Sequence, residues 1–569
     1  MKTNKQLKKE NKTKYVFVVG GVISGVGKGV TTSTLALLCK QSGYRVTALK
    51  IDPYINVDAG TMSPTEHGEV FVLSDGDECD QDTGNYERFL GEDLSRINYM
   101  TTGRVYQSVI EKERSMHYKG ICVEVVPHIP LEVIERIEKA ASDKQADICF
   151  VEIGGTVGEY QNMLFLEAVR MMQHRHNTFD EKNTAVVMVS YVPNPPSVGE
   201  LKTKPTQHAV RELNAVGIQP DIIIARSDIA LDEKRKEKIA MFCNVHKNHV
   251  FSAPDVKSIY DIPENFRKEK VHEMILKKLD LVERKGKDYI APIKTDITKW
   301  NTFFKPINPT HKDDYKVVKV VIIGKYFESG SGTLSDSYLS VIEAIKYSAC
   351  GLKVRPEITW LSAENIEKGI TKVEELKKFD AAIVPGGFGS RGVGGKMQAI
   401  KYARENKVPF LGICYGMQLA LVEYARDVLC LKDANTTEID QETTDPVVTI
   451  LEDQKEKMRS NNYGNTMRLG AYTSIVKKKT LAYELYKKTE IVERHRHRFE
   501  VNPKYHEAFE RAGIIFSSLS PDGQLAEIIE LPKSIHPYFI AGQFHPEFLA
   551  RPLDPHPLFT GLIKAAINK

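Results

Sequence analysis

Runs of consecutive apolar and β-branched residues recur along the chain: YVFVVGGVI (15–23), RVTALKI (45–51), ADICFVEIGG (146–155), TAVVMVSYV (184–192) and DIIIAR (221–226). Amphipathic stretches separate them. Strands that are apolar throughout belong to sheets buried on both faces, so this pattern predicts a parallel sheet covered by helices. The pattern lapses over 286–315, where three prolines and mixed polar residues lack clear periodicity, which predicts a linker. A second series follows at YKVVKVVIIG (315–324), DAAIVPGG (380–387), VPFLGIC (408–414) and YFIAGQFHPE (538–547). The expected fold class is α/β, with two doubly wound domains built on mainly parallel sheets.

Composition narrows the function. With 41% hydrophobic and 27% charged residues the 569-residue chain has an ordinary globular composition. No apolar run approaches the ~18 residues that span a bilayer, which excludes a membrane protein. The net charge of +4 arises in residues 1–14, which hold six lysines and one glutamate, so the rest of the chain carries −1. No general field draws nucleic acid to it. The basic tail is expected to be disordered and carries no secretory or transit pattern. Eight scattered cysteines without CxxC pairs argue against a disulfide framework or a zinc ribbon, and the expected compartment is the cytoplasm.

After the first apolar run comes Gly20-Gly21-Val22-Ile23-Ser24-Gly25-Val26-Gly27-Lys28-Gly29-Val30, leading into a helical pattern. Glycines allow backbone N–H groups to turn toward a polyphosphate, the helix N-terminus adds partial positive charge, and a lysine reaches the terminal phosphates. The usual GxxxxGK[ST] pattern is departed from twice, at Val22 and Gly29. The loop reads as a variant P-loop. Phosphoryl transfer calls for magnesium and oxygen ligands. Glu152 ends a hydrophobic strand, and Asp82 lies in an acidic stretch where Asp75, Asp77 and Asp80 serve equally by spacing. The loop Lys202-Thr203-Lys204-Pro205-Thr206-Gln207 suits a further phosphate or is a plain basic loop.

In the second half, Gly412-Ile413-Cys414-Tyr415-Gly416 sits at a strand-to-helix turn, the cysteine form of a nucleophile elbow. Pro385-Gly386-Gly387-Phe388-Gly389 offers backbone N–H groups to an oxyanion. His545, two residues before Glu547, offers a base and its orienting carboxylate. Acyl transfer through a thioester is the chemistry implied. The alternation Arg494-His495-Arg496-His497-Arg498 reads as an anion-binding or exposed basic strand, since its arginines repel a metal.

A variant P-loop unit, a linker and a cysteine glutaminase unit in one chain resemble the CTP synthase family. The strings that carry the resemblance include GGVISGVGKG (20–29), LKIDPYINVDAGTMSPTEHGEVFV (49–72), VEIGGTVGE (151–159), KTKPTQH (202–208), LGICYGMQ (411–418), VERHRHRFEVN (492–502) and QFHPEF (543–548). The domains implied are a synthetase at 15–285, a linker at 286–315 and a flavodoxin-like class I glutamine amidotransferase at 316–569, after the tail at 1–14. The reaction implied is phosphorylation of the UTP 4-oxygen by ATP, followed by displacement of phosphate by ammonia from glutamine, to give CTP.

By motif, the resemblance assigns Gly25, Val26, Gly27, Lys28, Gly29, Val30, Asp82, Pro254, Asp255 and Val256 to ATP, with Lys28 countering charge on the transferred phosphoryl. Asp82 and Glu152 match the magnesium ligands. Ser24, Lys50, Glu159, Tyr160, Gln161, Lys202, Thr203, Lys204, Pro205, Thr206, Gln207 and Lys238 match the site shared by UTP and the inhibitor CTP. Cys414, His545 and Glu547 match the catalytic triad. Gly387, Tyr415, Gly416, Met417, Gln418, Glu438 and Arg498 match glutamine-binding positions, and Pro64, His67 and Val70 match the ammonia passage. GTP as activator, a homotetramer and filaments are also implied.

Glu159-Tyr160-Gln161 stands where the family commonly has Asp-Ile-Glu, and 455–465 departs from its GTP-responsive segment. Two other readings fit parts of the pattern. One is an ATP-dependent glutamine amidotransferase acting on a carboxylate. The other is a non-catalytic P-loop filament subunit. KTKPTQ favours a nucleotide acceptor, and the intact Lys28, Cys414, His545 and Glu547 favour an enzyme.

Overall fold

Valine and isoleucine crowd the strands of the first half because both faces of the sheet are buried: Val16, Phe17, Val18, Val186, Val187, Ile222 and Ile223 have no exposed surface. A computed structural model describes residues 12–63, 68–179, 181–197, 199–285, 289, 296–308, 314–325, 328–329, 332–333 and 335–569 except 451–466. The chain divides into two compact units, one of residues 1–58 and 85–302, the other of 59–84 and 303–569.

The first unit holds a seven-stranded sheet among the described residues, in the order Tyr99–Thr101, Val46–Asp52, Ile148–Ile153, Lys14–Gly21, Thr184–Tyr191, Ile222–Ser227 and Val250–Pro254. All its pairings are parallel. The order steps outward both ways from Lys14–Gly21, so the turn after that strand lies where a doubly wound sheet opens a crevice.

Sheet pairing starts at Lys14, where the sequence places the end of a disordered tail. Thr13 Oγ1 donates to Ala146 O at 2.8 Å and Lys14 Nζ to Asn183 Oδ1 at 2.7 Å, which fixes both residues. Residues 1–11 lie outside the described residues.

The second unit carries a nine-stranded sheet among the described residues. Its order is Arg355–Ser362, Val317–Gly324, Ala381–Val384, Phe410–Ile413, Phe539–Gly542, Ala526–Glu530, Ile515–Leu519, Arg468–Val476 and Glu490–His497. The first five strands run parallel and the rest antiparallel. The parallel half holds the expected doubly wound pattern. The antiparallel half reads more weakly in sequence because its strands are apolar on one face only, as the alternating burial of Arg468–Val476 illustrates.

Two departures from the sequence reading concern the domain borders. The stretch 286–315 includes a helix, Ile297–Phe304, which buries Trp300 and Phe304. Those aromatics stand four apart, a helical spacing in an otherwise aperiodic run. Trp300 Nε1 donates to Tyr260 O at 3.0 Å within the first unit. Residues 59–84 group with the second unit, although in sequence they fall inside the first domain. Their hairpin, Val70–Val72 with Glu78–Asp80, is held by side chains of Glu490–His497: Arg494 Nη1 donates to Val72 O at 3.1 Å, and Arg496 Nε to Glu78 Oε1 at 2.7 Å.

Phe410 and Phe539, fully buried on adjacent strands, stack with centroids 4.7 Å apart. Phe410→Ala is expected to cost about 3–5 kcal/mol, read as a lower denaturant midpoint for the transition that reports the second unit.

Candidate active sites

Gly412 and Gly416 flank Cys414 because the backbone there has no room for a side chain. A Cβ at Gly416 would lie 2.1 Å from Val384 O, and one at Gly412 would lie 2.8 Å from the Ala541 Cβ. The close approach lets the helix Tyr415–Asp427 begin directly over the strand ends. Cys414 itself takes φ 50° and ψ −102°, a conformation that costs on the order of 1–3 kcal/mol in a non-glycine residue. Its N–H donates to Gly542 O at 2.7 Å, which fixes the turn.

His545 follows the neighbouring strand Phe539–Gly542. Its Nδ1 is 2.7 Å from Glu547 Oε1, and its ring stacks on Phe548 at 5.0 Å. Burial alone would lower the imidazole pKa, but the Glu547 carboxylate and the Cys414 sulfur outweigh it and push it up to about 10. The arrangement sets a histidine, oriented by its carboxylate, beside the cysteine sulfur, the pairing that nucleophilic thiol catalysis uses.

A cavity of about 260 Å³ is lined by Gly387, Cys414, Gln418, Glu438, Arg498, His545 and Glu547, all anticipated from the sequence. Glu438 accepts from the Gly389 N–H at 2.6 Å; burial raises its pKa, against the pull of that N–H and of Lys325. The cavity is also lined by Gly60, Glu69 and Val70. Val70 was anticipated; Glu69, whose carboxylate accepts from the Ser340 N–H at 3.0 Å, was not. Pro64 and His67 lie outside the described residues, as does 455–465. Tyr415, Gly416 and Met417 do not line the cavity; they build the turn beneath it, with Tyr415 O–H donating to Gly389 O at 2.8 Å.

The Arg494–Arg498 run corrects the reading of an exposed basic strand. It alternates across the sheet, so His495 and His497 face one way and the arginines the other. Arg494, His495 and His497 are buried, and the two histidines are 2.9 Å apart (Nδ1 to Nε2). Burial, then Arg468, holds both imidazoles well below their ordinary pKa.

In the first unit, the glycine loop joins Lys14–Gly21 to the helix Lys28–Gln41. Gly25 and Gly27 have φ 68° and 91°, and Val22, where the usual pattern has glycine, has φ 83°. The loop thus keeps a glycine-like backbone at a valine, a strain of roughly 1–2 kcal/mol. Lys28 Nζ donates to Gly155 O at 2.8 Å, and a Cβ at Gly20 would lie 2.8 Å from the lysine side chain and displace it. Beside the loop, a cavity of about 300 Å³ brings Gly27 and Val30 together with Pro254, Asp255 and Val256. Arg226 also lines it, donating to Val26 O at 3.3 Å and to Asp255 Oδ1 at 2.5 Å. The sequence reading missed Arg226, whose one signal is a charge closing the apolar run DIIIAR. Ser24, Gly25, Val26 and Gly29 do not line this cavity.

Glu152 ends its strand fully buried. Lys50 Nζ donates to its Oε1 at 2.8 Å, and the Tyr86 hydroxyl bonds its Oε2. Asp52, also overlooked in the sequence, lies 3.8 Å from Lys50 and accepts from the Tyr99 hydroxyl at 3.0 Å. Buried carboxylates one and two strands away from a phosphate loop are the hard oxygen donors magnesium takes, in ones and twos alongside phosphate oxygens. The donor set therefore fits magnesium. Asp82 opens the helix Gln81–Leu90, with its N–H donating to Asp80 Oδ1 at 2.8 Å, and it belongs to the other unit.

Lys202, Thr203, Lys204 and Lys238 meet around a third cavity of about 320 Å³, with Glu200, Lys234 and Arg235. Pro205 is the N-terminal proline of the helix Lys204–Ala215, Thr206 is buried against Ser190 and Gln207 bonds Thr203. Glu159, Tyr160, Gln161, Ser24 and Lys50 do not line it. Tyr160 is 91% exposed, in the short turn Tyr160–Asn162.

A phosphate loop beside a nucleotide-sized cavity in one unit, and an elbow cysteine with its histidine and glutamate in the other, define a P-loop synthetase joined to a class I glutamine amidotransferase. Residues 14–281 match the CTP synthase N-terminus family, and 333–565 match class I glutamine amidotransferase. Proteins named CTP synthase are similar over nearly the whole chain. That of Thermococcus gammatolerans is 49% identical, covering 97% of this chain and 98% of its own, and that of Pyrococcus abyssi is 50% identical with the same coverage. That of Methanocaldococcus jannaschii is 46% identical, over 98% of this chain and 99% of its own. A solved glutaminase domain of Trypanosoma brucei CTPS with bound acivicin is 35% identical over 44% of this chain and 94% of its own, with a TM-score of 0.40. The chain belongs to the CTP synthase family. It is accordingly an enzyme, a glutamine-dependent ligase of pyrimidine biosynthesis.

The raised His545 pKa has a sign that can be checked. A free imidazole titrates near ~6.5, so a folded value of about 10 stabilises the unit fully below pH ~6.5, and the gain is lost as pH rises through the folded value. The difference in thermal midpoint between the parent chain and His545→Asn is expected to shrink from about pH 6 to about pH 10.

Proposed function

We propose that the chain converts UTP to CTP in two coupled steps, with Cys414 releasing ammonia and the phosphate-loop unit activating the pyrimidine. The carrying observation is one cavity that holds Cys414, His545, Glu547, Glu438 and Arg498 together with Val70. Arg498 suits the α-carboxylate of glutamine and Glu438 its α-ammonium. The Cys414 sulfur adds to the carboxamide carbon, and N–H groups of the Pro385–Gly389 loop donate to the developing oxyanion. His545, oriented by Glu547, gives its proton to the leaving ammonia and then takes one from the water that hydrolyses the thioester. Ammonia passes along the segment that carries Pro64, His67 and Val70.

In the first unit, ATP takes the cavity between the glycine loop and Pro254-Asp255-Val256. Lys28 balances charge on the γ-phosphoryl as it moves to the UTP 4-oxygen; ammonia then displaces phosphate from 4-phospho-UTP. Magnesium held by Glu152 would supply the positive charge that such a transfer needs. The basic cavity of Lys202, Lys204 and Lys238 suits the triphosphate of UTP, and of CTP as feedback inhibitor. GTP acts as activator, and the chain assembles as a homotetramer and into filaments. The synthetase comprises 15–285 and the glutaminase 316–569. Among the described residues no helix is long and apolar enough to cross a membrane, and the cytoplasm is the compartment proposed.

Cys414→Ala is expected to abolish CTP synthesis from glutamine while leaving synthesis from ammonium chloride intact, as measured by nucleotide chromatography. Loss of both activities in a folded variant would overturn the two-site reading. Lys28→Ala is expected to lower synthesis from either nitrogen source by at least about a hundredfold, in keeping with ~3 kcal/mol of lost charge stabilisation. A near-parental rate with ammonia would remove Lys28 from the transfer.

A further inference from the structure

Beneath the Pro385–Gly389 loop lies a lysine that the chemistry above does not use. Lys396, on the helix Val393–Glu405, is completely buried, and among the described residues no carboxylate pairs with it. Its Nζ lies 3.5 Å from Pro385 O and 5.3 Å from the centre of the Tyr415 ring. A Cβ on Gly387 would lie 3.4 Å from that nitrogen. Burying an ammonium is costly, and a leucine or methionine would fill the same space without that cost. Burial, with repulsion from Lys325, brings its pKa down to about 7.

The surrounding bonds show what a donor does there. Phe388 O accepts from Lys325 Nζ, Gly389 O from Tyr415 O–H, and Glu438 takes the Gly389 N–H. These bonds fix the far end of the loop, and Lys396 is the side chain that reaches the near end. A trans peptide points its C=O and N–H to opposite edges, so a donor on Pro385 O turns the Gly386 N–H away from the helix. Gly386 packs there against His545, with a Cβ placed 2.7 Å from the ring Cε1.

We infer that Lys396 is a positioning residue of the glutaminase, setting the peptide planes of the Pro385–Gly387 loop through the Pro385 carbonyl so that the loop's N–H groups meet the oxyanion. The inference rests on the assignment of Cys414 as nucleophile.

The test compares Lys396→Met, which keeps the shape and removes the donor, with Lys396→Gln, which restores a donor. Misplaced oxyanion donors cost on the order of a hundredfold. In Lys396→Met, kcat with glutamine is expected to fall about 10- to 100-fold while KM for glutamine changes less than about threefold. Synthesis from ammonium chloride and alkylation of Cys414 by iodoacetamide should stay at parental rates, and Lys396→Gln should recover much of the lost kcat. A glutamine kcat within about twofold of the parent in Lys396→Met overturns the inference, as does alkylation falling in parallel with turnover, the mark of a packing role. If Lys396→Met does not fold, Lys396→Leu, which also removes the donor, carries the comparison: a kcat reduced with KM and alkylation intact supports the inference, and any other outcome overturns it. Failure of the underlying assignment reads differently, as glutamine-dependent synthesis persisting in Cys414→Ala.

Discussion

The glutaminase unit depends on one close approach, that of Gly416 to the carbonyl end of the strand Ala381–Val384. It brings a helix N-terminus onto the edge of a parallel sheet with no side chain between. Three features need that contact. Cys414 is held in its strained backbone, the Pro385–Gly389 loop lies against the start of the helix, and His545 arrives from the adjacent strand Phe539–Gly542. A methyl group at Gly416 would push helix and sheet apart and separate all three. Strain at Cys414 is sustained because the flanking bonds, to Gly542 O before it and into the helix after it, leave the chain no other path.

The first unit solves a related problem with charge. Lys28, Lys50 and Arg226 are each already engaged by protein oxygens: Gly155 O, Glu152, and Val26 O with Asp255. Cations held this way are ordered in advance, so on the proposed function a bound nucleotide spends little free energy on ordering side chains.

Legibility followed the physics. Parallel strands buried on both faces announce themselves as unbroken apolar runs, and the nine runs read each mark one, whereas Tyr99–Thr101, Val250–Pro254 and Arg355–Ser362 went unread. Strand-end motifs were legible because glycine and cysteine at fixed spacing have few other uses. The antiparallel half was harder to see, its strands being half polar, and His495 and His497 looked exposed for the same reason. Glu69, Asp52 and Arg226 reach their sites through tertiary folding alone; no local spacing distinguishes them from ordinary charges. Trp300 and Phe304 did carry a helical interval, but two residues are a weak period against three prolines.

The hairpin of residues 70–80 has a topological consequence. Because 59–84 packs with the second unit while the flanking sequence belongs to the first, the chain passes between units three times, near 58, 84 and 302. Neither unit is therefore a contiguous stretch of polypeptide. A single cut in 286–315 would leave the amino-terminal fragment still clasped by Arg494 and Arg496 of the other. Dividing the gene at that point would deprive the glutaminase of part of its own cavity wall, Gly60, Glu69 and Val70. In covalent terms the two enzymes are interlaced.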